Sequence, residues 1–370
     1  MSETLSFVDL KAQYQRIKPA LEHRMQNVFE HNAFIMGPEV AEVEQALAKF
    51  ANVEHCLTVG NGTDALFIAL RALNIGPGDE VITTPFTFVA TVETILAVGA
   101  IPVLIDIDPA TYTINADLIE SAINSRTKAI MPVSLYGQCA DLKAINAIAA
   151  AYQLPVIEDA AQSFGATHHG DKSCSLTTLA TTSFFPAKPL GCYGDGGACF
   201  TQDANLAEKI KLLRNHGQKQ RYKHEILGVN SRLDTLQAAI LLEKLAIFPE
   251  EIQQRQHCAQ RYEHHFKECA ALTIPTLRPE NTSVYAQYTI ATKERAALND
   301  HLKNCGIPTA IHYPIPMHLQ PFCSHLIKRG SSLGHSEHAA QQVLSLPLHP
   351  YLKEEQQQFI IKSVLDYFHD

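Results

Sequence analysis

From about residue 55 the chain alternates short β-rich runs with longer helical stretches, and that order constrains its fold more than any other feature. Strands joined by helical crossovers lie parallel, because each crossover returns the chain to the edge of the sheet from which it left. The runs 80–84, 102–105, 128–133 and 155–158 read as such strands, and Gly76-Pro-Gly-Asp79 is turn chemistry ahead of the first. Ala65, Leu66, Ile68, Ala69, Leu70 and Leu73 recur at helical spacing and predict an amphipathic helix that starts at Thr63-Asp64. Residues 203–214 and 233–245 read as further helices, and a long polar helix over about 250–269 carries the chain out of the first domain. The expected fold is α/β: a large, mostly parallel-sheet domain over 1–250 and a smaller C-terminal α/β domain over 251–370.

Composition narrows the function classes. A chain of 370 residues with 46% apolar and 18% charged residues fits a soluble globular enzyme. Its net charge of -8 argues against a general nucleic-acid binder, while leaving room for a local cationic pocket. The nine cysteines are scattered and never spaced Cys-x-x-Cys, which suggests neither a disulfide framework nor zinc, and reduced thiols point to a cytoplasmic setting. The first eleven residues carry early acidic side chains and no long apolar run, so no export signal is expected. The longest apolar stretch, Thr94 to Ile105, falls short of the roughly 20 residues a bilayer span needs. His168-His169 and Glu263-His264-His265 lack metal-ligand spacing, and no metal is expected.

Chemistry concentrates at Lys188 and Asp159. Asp159 follows an apolar run and precedes Ala-Ala-Gln-Ser-Phe-Gly, which places it at the carboxyl end of a strand, where open parallel sheets bind ligands. Taken alone it reads more readily as a helix cap or turn residue, and its neighbours change that balance. Lys188 lies in Ser183-Phe-Phe-Pro-Ala-Lys188, an apolar setting followed by a glycine-rich stretch, where a solvated surface lysine is not expected. An amine there favours its neutral, nucleophilic form. An amine to hold an aldehyde as a Schiff base and a carboxylate to keep a pyridine nitrogen protonated are the two groups that pyridoxal phosphate (PLP) requires.

Gly60-Asn-Gly-Thr63 opens a helix whose free N–H groups suit a phosphate, with Thr63 as anchor and Ser183 within reach; an ordinary capped helix reads equally well. Phe88, in Thr-Pro-Phe-Thr-Phe-Val-Ala, suits stacking on a flat ring and suits a core position as well.

Asn61-Gly-Thr-Asp-Ala-Leu66, Glu158-Asp-Ala-Ala-Gln162, Ser183-Phe-Phe-Pro-Ala-Lys188, Gly194-Asp-Gly-Gly197, Arg214-Asn-His-Gly217 and Asn230-Ser-Arg-Leu-Asp234 occur in that order. Together they resemble the DegT/DnrJ/EryC1/StrS family of sugar aminotransferases. The resemblance implies a PLP-dependent, fold-type-I enzyme, aspartate aminotransferase-like, working as a homodimer with shared active sites. It implies that Lys188 binds the cofactor aldehyde, Asp159 meets the pyridine nitrogen and Gln162 lies along the ring. Thr63 and Ser183 would hold the phosphate, with Asp64 and Phe88 among the cofactor contacts and Asn230 arriving from the other subunit. Relatives that dehydrate sugars carry histidine in place of the lysine, so Lys188 favours transamination. Ala187 departs from the serine that many members have there.

Phe7-Val-Asp-Leu-Lys, the run 132–141 and Ile311-His-Tyr-Pro-Ile-Pro are similar to the branch of the family that makes O-antigen sugars. That likeness implies L-glutamate as amino donor and a UDP-linked 3-oxo-N-acetylglucosaminuronate as acceptor. Arg232, His312 and Tyr313, donated by the partner subunit, would then read the sugar carboxylate. Another 3-oxo or 4-oxo nucleotide sugar is the second reading, and a non-catalytic PLP- or sugar-binding regulator the third.

Overall fold

In the computed structural model, residues 5–369 are described, so the stretch from which no export signal is expected lies partly outside the described residues. Seven strands enter the main sheet before residue 210: β1 (His55–Val59), β2 (Glu80–Thr83), β3 (Ile101–Leu104), β4 (Thr127–Ile130), β5 (Ile157–Asp159), β6 (Leu179–Ser183) and β7 (Gly197–Thr201). Three later strands are β8 (Tyr288–Ala291), β9 (Lys328–Arg329) and β10 (Val343–Leu346). Parallel bridges Ile130↔Val156 and Val133↔Asp159 join two four-stranded sections into the order β1-β7-β6-β5-β4-β2-β3-β9. Only β7 runs against its neighbours, so the sheet is mostly parallel, as the alternation of elements predicts.

Side-chain alternation makes this sheet the middle of three layers. Cys56, Ala180 and Phe200 face one core with residues of α1 (Leu10–His31), α2 (Pro38–Ala51) and α7 (Thr235–Phe266). Their strand neighbours Leu57, Leu179 and Cys199 face the other, against α3 (Gly62–Ala72) and α6 (Ala204–Leu213). A third core forms between the C-terminal half of α7, α8 (Arg295–Asn304), α10 (Glu354–His369) and the antiparallel pair β8 and β10. Among the described residues no helix is long and apolar enough to cross a membrane.

Two expectations are corrected. The helices read over 233–245 and 250–269 are one 32-residue helix, α7, which holds Pro249 and runs through the expected boundary at 250. A proline removes one ladder hydrogen bond, and burial on both sides of it, from Phe248 in one core to Tyr262 and Phe266 in another, outweighs that loss. The helix read as starting at Thr63-Asp64 starts at Gly62, because Asn61 caps it: its side chain accepts from the Asp64 N–H at 2.8 Å.

Candidate active site

β5, β6 and the antiparallel β7 bring the two central groups to one edge of the sheet. β5 ends at Asp159 and its parallel neighbour β6 ends at Ser183, so both release the chain at the carboxyl edge. Lys188 sits in the connection from β6 to β7, in a turn closed by its own N–H donating to Phe185 O at 2.9 Å. The two are close enough for their charges to interact. Burial pushes the Asp159 carboxyl up from its ordinary value, opposed by hydrogen bonds from Thr91 and the Ala161 N–H and by the Lys188 charge. Burial likewise pulls the Lys188 amine down, opposed by Asp159. Each group is thus drawn toward its neutral form, and a cation arriving beside Asp159 relieves its desolvation.

Asp159 is held from two sides. Thr91 Oγ1 donates to Asp159 Oδ2 at 2.8 Å, and the Ala161 N–H donates to Oδ1 at 3.2 Å. Thr91 lies in the first turn of α4 (Val89–Ala97), and Thr87 Oγ1 is 2.8 Å from its hydroxyl. Sequence reading missed Thr91: Thr87 precedes the helix, so no helical spacing links the two hydroxyls, and only the fold brings Thr91 to Asp159.

The start of α3 meets the end of β6. A Cβ on Gly62 would stand 2.6 Å from Ser183 Cβ, and one on Gly197 would stand 2.4 Å from Asn61 O. Side chains at those two positions would fill the space in which the helix N-terminus and Ser183 come together. The N–H groups of Gly62 and Thr63 precede the first bond of the helix, Ala65 N to Asn61 O, and are oriented for an anion. Asp64 lies next to these groups. Its N–H bonds the Asn61 cap, and its carboxylate lies where a Cβ on Gly60 would touch both it and Ser231, so it offers a phosphate no donor.

Gln162 is anchored at both ends of its amide: Tyr136 N–H donates to Oε1 at 2.8 Å, and Nε2 donates to Tyr313 Oη at 3.1 Å. Tyr313 lies close enough to Asp159 for the carboxylate to help raise its phenol, behind the larger effect of burial. Its ring is 6.1 Å from Phe88, which is 54% exposed and so free to face a ligand. Burial first, and the neighbouring Lys188 charge second, pull the His312 imidazole down to about 4. His312 and Tyr313 are therefore at the site of their own protomer, which corrects the expectation that a partner delivers them. They return to it because β10, paired antiparallel with β8, also bridges the segment at Ala310 through Ser345.

Asn230 and Arg232 are not brought to Lys188. Arg232 donates to Asn230 Oδ1 at 2.8 Å and to Asn215 Oδ1 at 3.0 Å, and its Nε is buried without a partner. Ser231 between them accepts from the Gly60 N–H at 3.0 Å, which ties this loop beside the start of α3.

These groups fit PLP: a desolvated amine, a buried carboxylate held ready for a cation, and a helix N-terminus with a serine beside it, in a cradle where two glycines leave room. The model of the DegT/DnrJ/EryC1/StrS aminotransferase family matches residues 15–365. The chain is 55% identical over 348 residues to UDP-2-acetamido-2-deoxy-3-oxo-D-glucuronate aminotransferase of Pseudomonas aeruginosa, covering 94% of this chain and 96% of that one. The crystal structure of S. venezuelae DesV superposes with a TM-score of 0.97 at 38% identity, covering 99% of each chain. That of ntda from Bacillus subtilis, with bound cofactor PMP, gives 0.90 at 32% identity, covering 98% of this chain and 83% of that one. The chain belongs to the DegT/DnrJ/EryC1/StrS aminotransferase family, and it is a PLP-dependent sugar aminotransferase of fold type I.

Proposed function

We propose that this enzyme moves the amino group of L-glutamate to C3 of a UDP-linked 3-oxo-N-acetylglucosaminuronate, in the cytoplasm, for surface polysaccharide such as O-antigen. The observation that carries the chemistry is Lys188 set against Asp159, each desolvated and each shifting the other. The near full-length 55% identity to the P. aeruginosa enzyme carries the choice of sugar.

PLP, when bound, supplies an aldehyde and an electron-accepting ring. Asp159, steadied by Thr91 and the Ala161 N–H, keeps a proton on the ring nitrogen. The N–H groups of Gly62 and Thr63, with the Ser183 hydroxyl, hold the phosphate. Lys188 Nζ takes the α-proton from the donor and returns a proton on the acceptor side, a role its lowered pKa suits because a neutral amine is a base. Gln162 and Tyr313 form a hydrogen-bonded wall beside Asp159. In a homodimer, Arg232 and Asn230 would serve the partner's site: here they hydrogen-bond Asn215 and each other, and neither hydrogen-bonds Lys188. A guanidinium matches a uronate because it binds both carboxylate oxygens.

The test uses PLP-loaded enzyme, glutamate and the 3-oxo UDP-uronate generated in place, with mass spectrometry for the 3-amino sugar. Its formation supports reaction and substrate together. Release of 2-oxoglutarate without amino sugar overturns the sugar alone, and absence of both products overturns the catalytic role. Lys188→Ala should abolish turnover.

A further inference from the structure

The segment 230–234 has two faces. Antiparallel bridges at Asn230 and Asp234, to Asn215 and Ile35, hold its two ends as extended chain. Burial alternates between them: Asn230 and Asp234 are exposed and Arg232 is half-buried, while Ser231 is 2% and Leu233 1% exposed. Extended chain sends successive side chains to opposite sides, so Ser231 and Leu233 point into their own protomer, and Asn230 and Arg232 lie on the other face.

The inward pair is seated on the cofactor site of its own protomer. Ser231 Oγ accepts from the Gly60 N–H at 3.0 Å, in the turn that leads into α3. Leu233 lies against the glycine-rich stretch after Lys188, where a Cβ on Gly196 would stand 3.0 Å from Leu233 Cδ1. Arg214 adds a second tie to the same turn: it donates to Thr58 O at 2.6 Å, and its carbonyl accepts from the Ser231 N–H at 2.9 Å. Segment 230–234 is thus hung on Thr58 and Gly60, which deliver the chain to the N–H groups of Gly62 and Thr63.

Resting on the function proposed above, in which Asn230 and Arg232 work in the partner's site, we infer that Ser231 is a positioning residue for the neighbouring active site. Through it, the phosphate turn of one protomer sets the guanidinium that reads the sugar carboxylate in the other. Arg232 is the covalent neighbour of Ser231, so a shift of Ser231 off Gly60 carries Arg232 with it. A guanidinium that binds both oxygens of a carboxylate tolerates little displacement, because two parallel N–H···O bonds must align at once. A serine that only satisfied the Gly60 N–H would affect the cofactor of its own protomer and leave the sugar of the other untouched.

The experiment uses PLP-loaded mixed dimers, isolated through two different affinity tags. A Lys188→Ala chain lends Arg232 and an Arg232→Ala chain supplies Lys188, so each dimer has one complete site. Ser231→Ala is added to one chain or to the other, and kinetics are measured with the 3-oxo UDP-uronate varied at saturating PLP and glutamate. On the Lys188→Ala chain it should raise KM for the sugar roughly tenfold, the scale of one lost hydrogen bond, with kcat changed far less. On the Arg232→Ala chain it should leave that KM unchanged. Equal effects from the two placements, which a general folding defect would give, overturn the inference, and so does the lack of an effect from either. The failures of the underlying reading look different: no turnover by wild type removes the sugar, and no activity in the parent mixture removes the sharing of sites, each taking the inference with it. An active parent mixture whose sugar KM ignores the placement of Ser231→Ala overturns the inference alone.

Discussion

Thr91 Oγ1 hydrogen-bonds Asp159 Oδ2 at 2.8 Å, from the first turn of α4 across to the end of β5. This bond opposes the rise that burial imposes on the Asp159 carboxyl. Thr91→Val, which keeps the side-chain shape, should weaken PLP binding roughly tenfold and lower kcat, a hydrogen bond to a charged group being worth about 1.5–3 kcal/mol. Thr91→Ser should retain most of both. Fluorescence titration of the apoenzyme with PLP measures the affinity, and an unchanged dissociation constant in the valine variant would sink the role.

Arg232 and Lys188 belong to different working sites if the dimer shares them as proposed. Arg232→Ala alone should lose roughly 10–100-fold in kcat/KM for the uronate, and much less for a sugar without a carboxylate. Mixed dimers of Lys188→Ala and Arg232→Ala chains regain one intact site. Activity that appears on mixing the two weak variants supports sharing; mixtures no better than their components count against it.

Stability should fall as the medium turns acidic. Burial first, and the Arg255 charge second, pull His349 down from 6.5 to about 4. Between those values the unfolded chain binds a proton that the folded chain refuses, so unfolding gains free energy as pH drops. Stability is full above 6.5 and decreases toward 4, by about 3 kcal/mol for this 2%-exposed residue. His312 shifts with the same sign. Urea unfolding at pH 7.5 and 5 tests this, and His349→Phe should show a shallower acid slope than wild type.

Lys244 is a second buried base, with the same sign at higher pH. It is fully buried with Nζ unpartnered, 3.8 Å above the Tyr193 ring, and burial lowers its amine to about 8. The folded amine releases its proton before the unfolded one at 10.5, so wild-type stability climbs between about 8 and 10.5. At pH 7 Lys244→Met should be more stable by about 1–3 kcal/mol, after the lost cation–π contact is subtracted. The gap should narrow at pH 10. Thermal unfolding that finds the methionine variant weaker at pH 7 would refute this.

Much of the site was legible because PLP chemistry concentrates in short local runs. Asp159 closes the run Pro155-Val-Ile-Glu-Asp159 and Lys188 closes the run Phe184-Phe-Pro-Ala-Lys188, and the helix after Gly60 announces itself by spacing alone. Thr91 was illegible because a threonine in a helix looks the same whether its hydroxyl meets a carboxylate or bonds its own backbone. The join of two helices across Pro249 was illegible because a proline is locally unfavourable, and only burial in two cores outweighs it.

By itself, then, the sequence determined the alternation of strand and helix, the candidate amine and carboxylate, and the glycine turn before the helix at Gly62, since each depends on residues near one another in the chain. The tertiary structure alone decided what lies across from them. Sheet order placed α4 over Asp159, and the pairing of Thr289 with Ser345 set two hydroxyls behind His312. The same pairing brought His312 and Tyr313 to their own protomer's lysine, more than a hundred residues away. Those contacts arise from strand register and core packing, which join segments whose local patterns carry no record of one another.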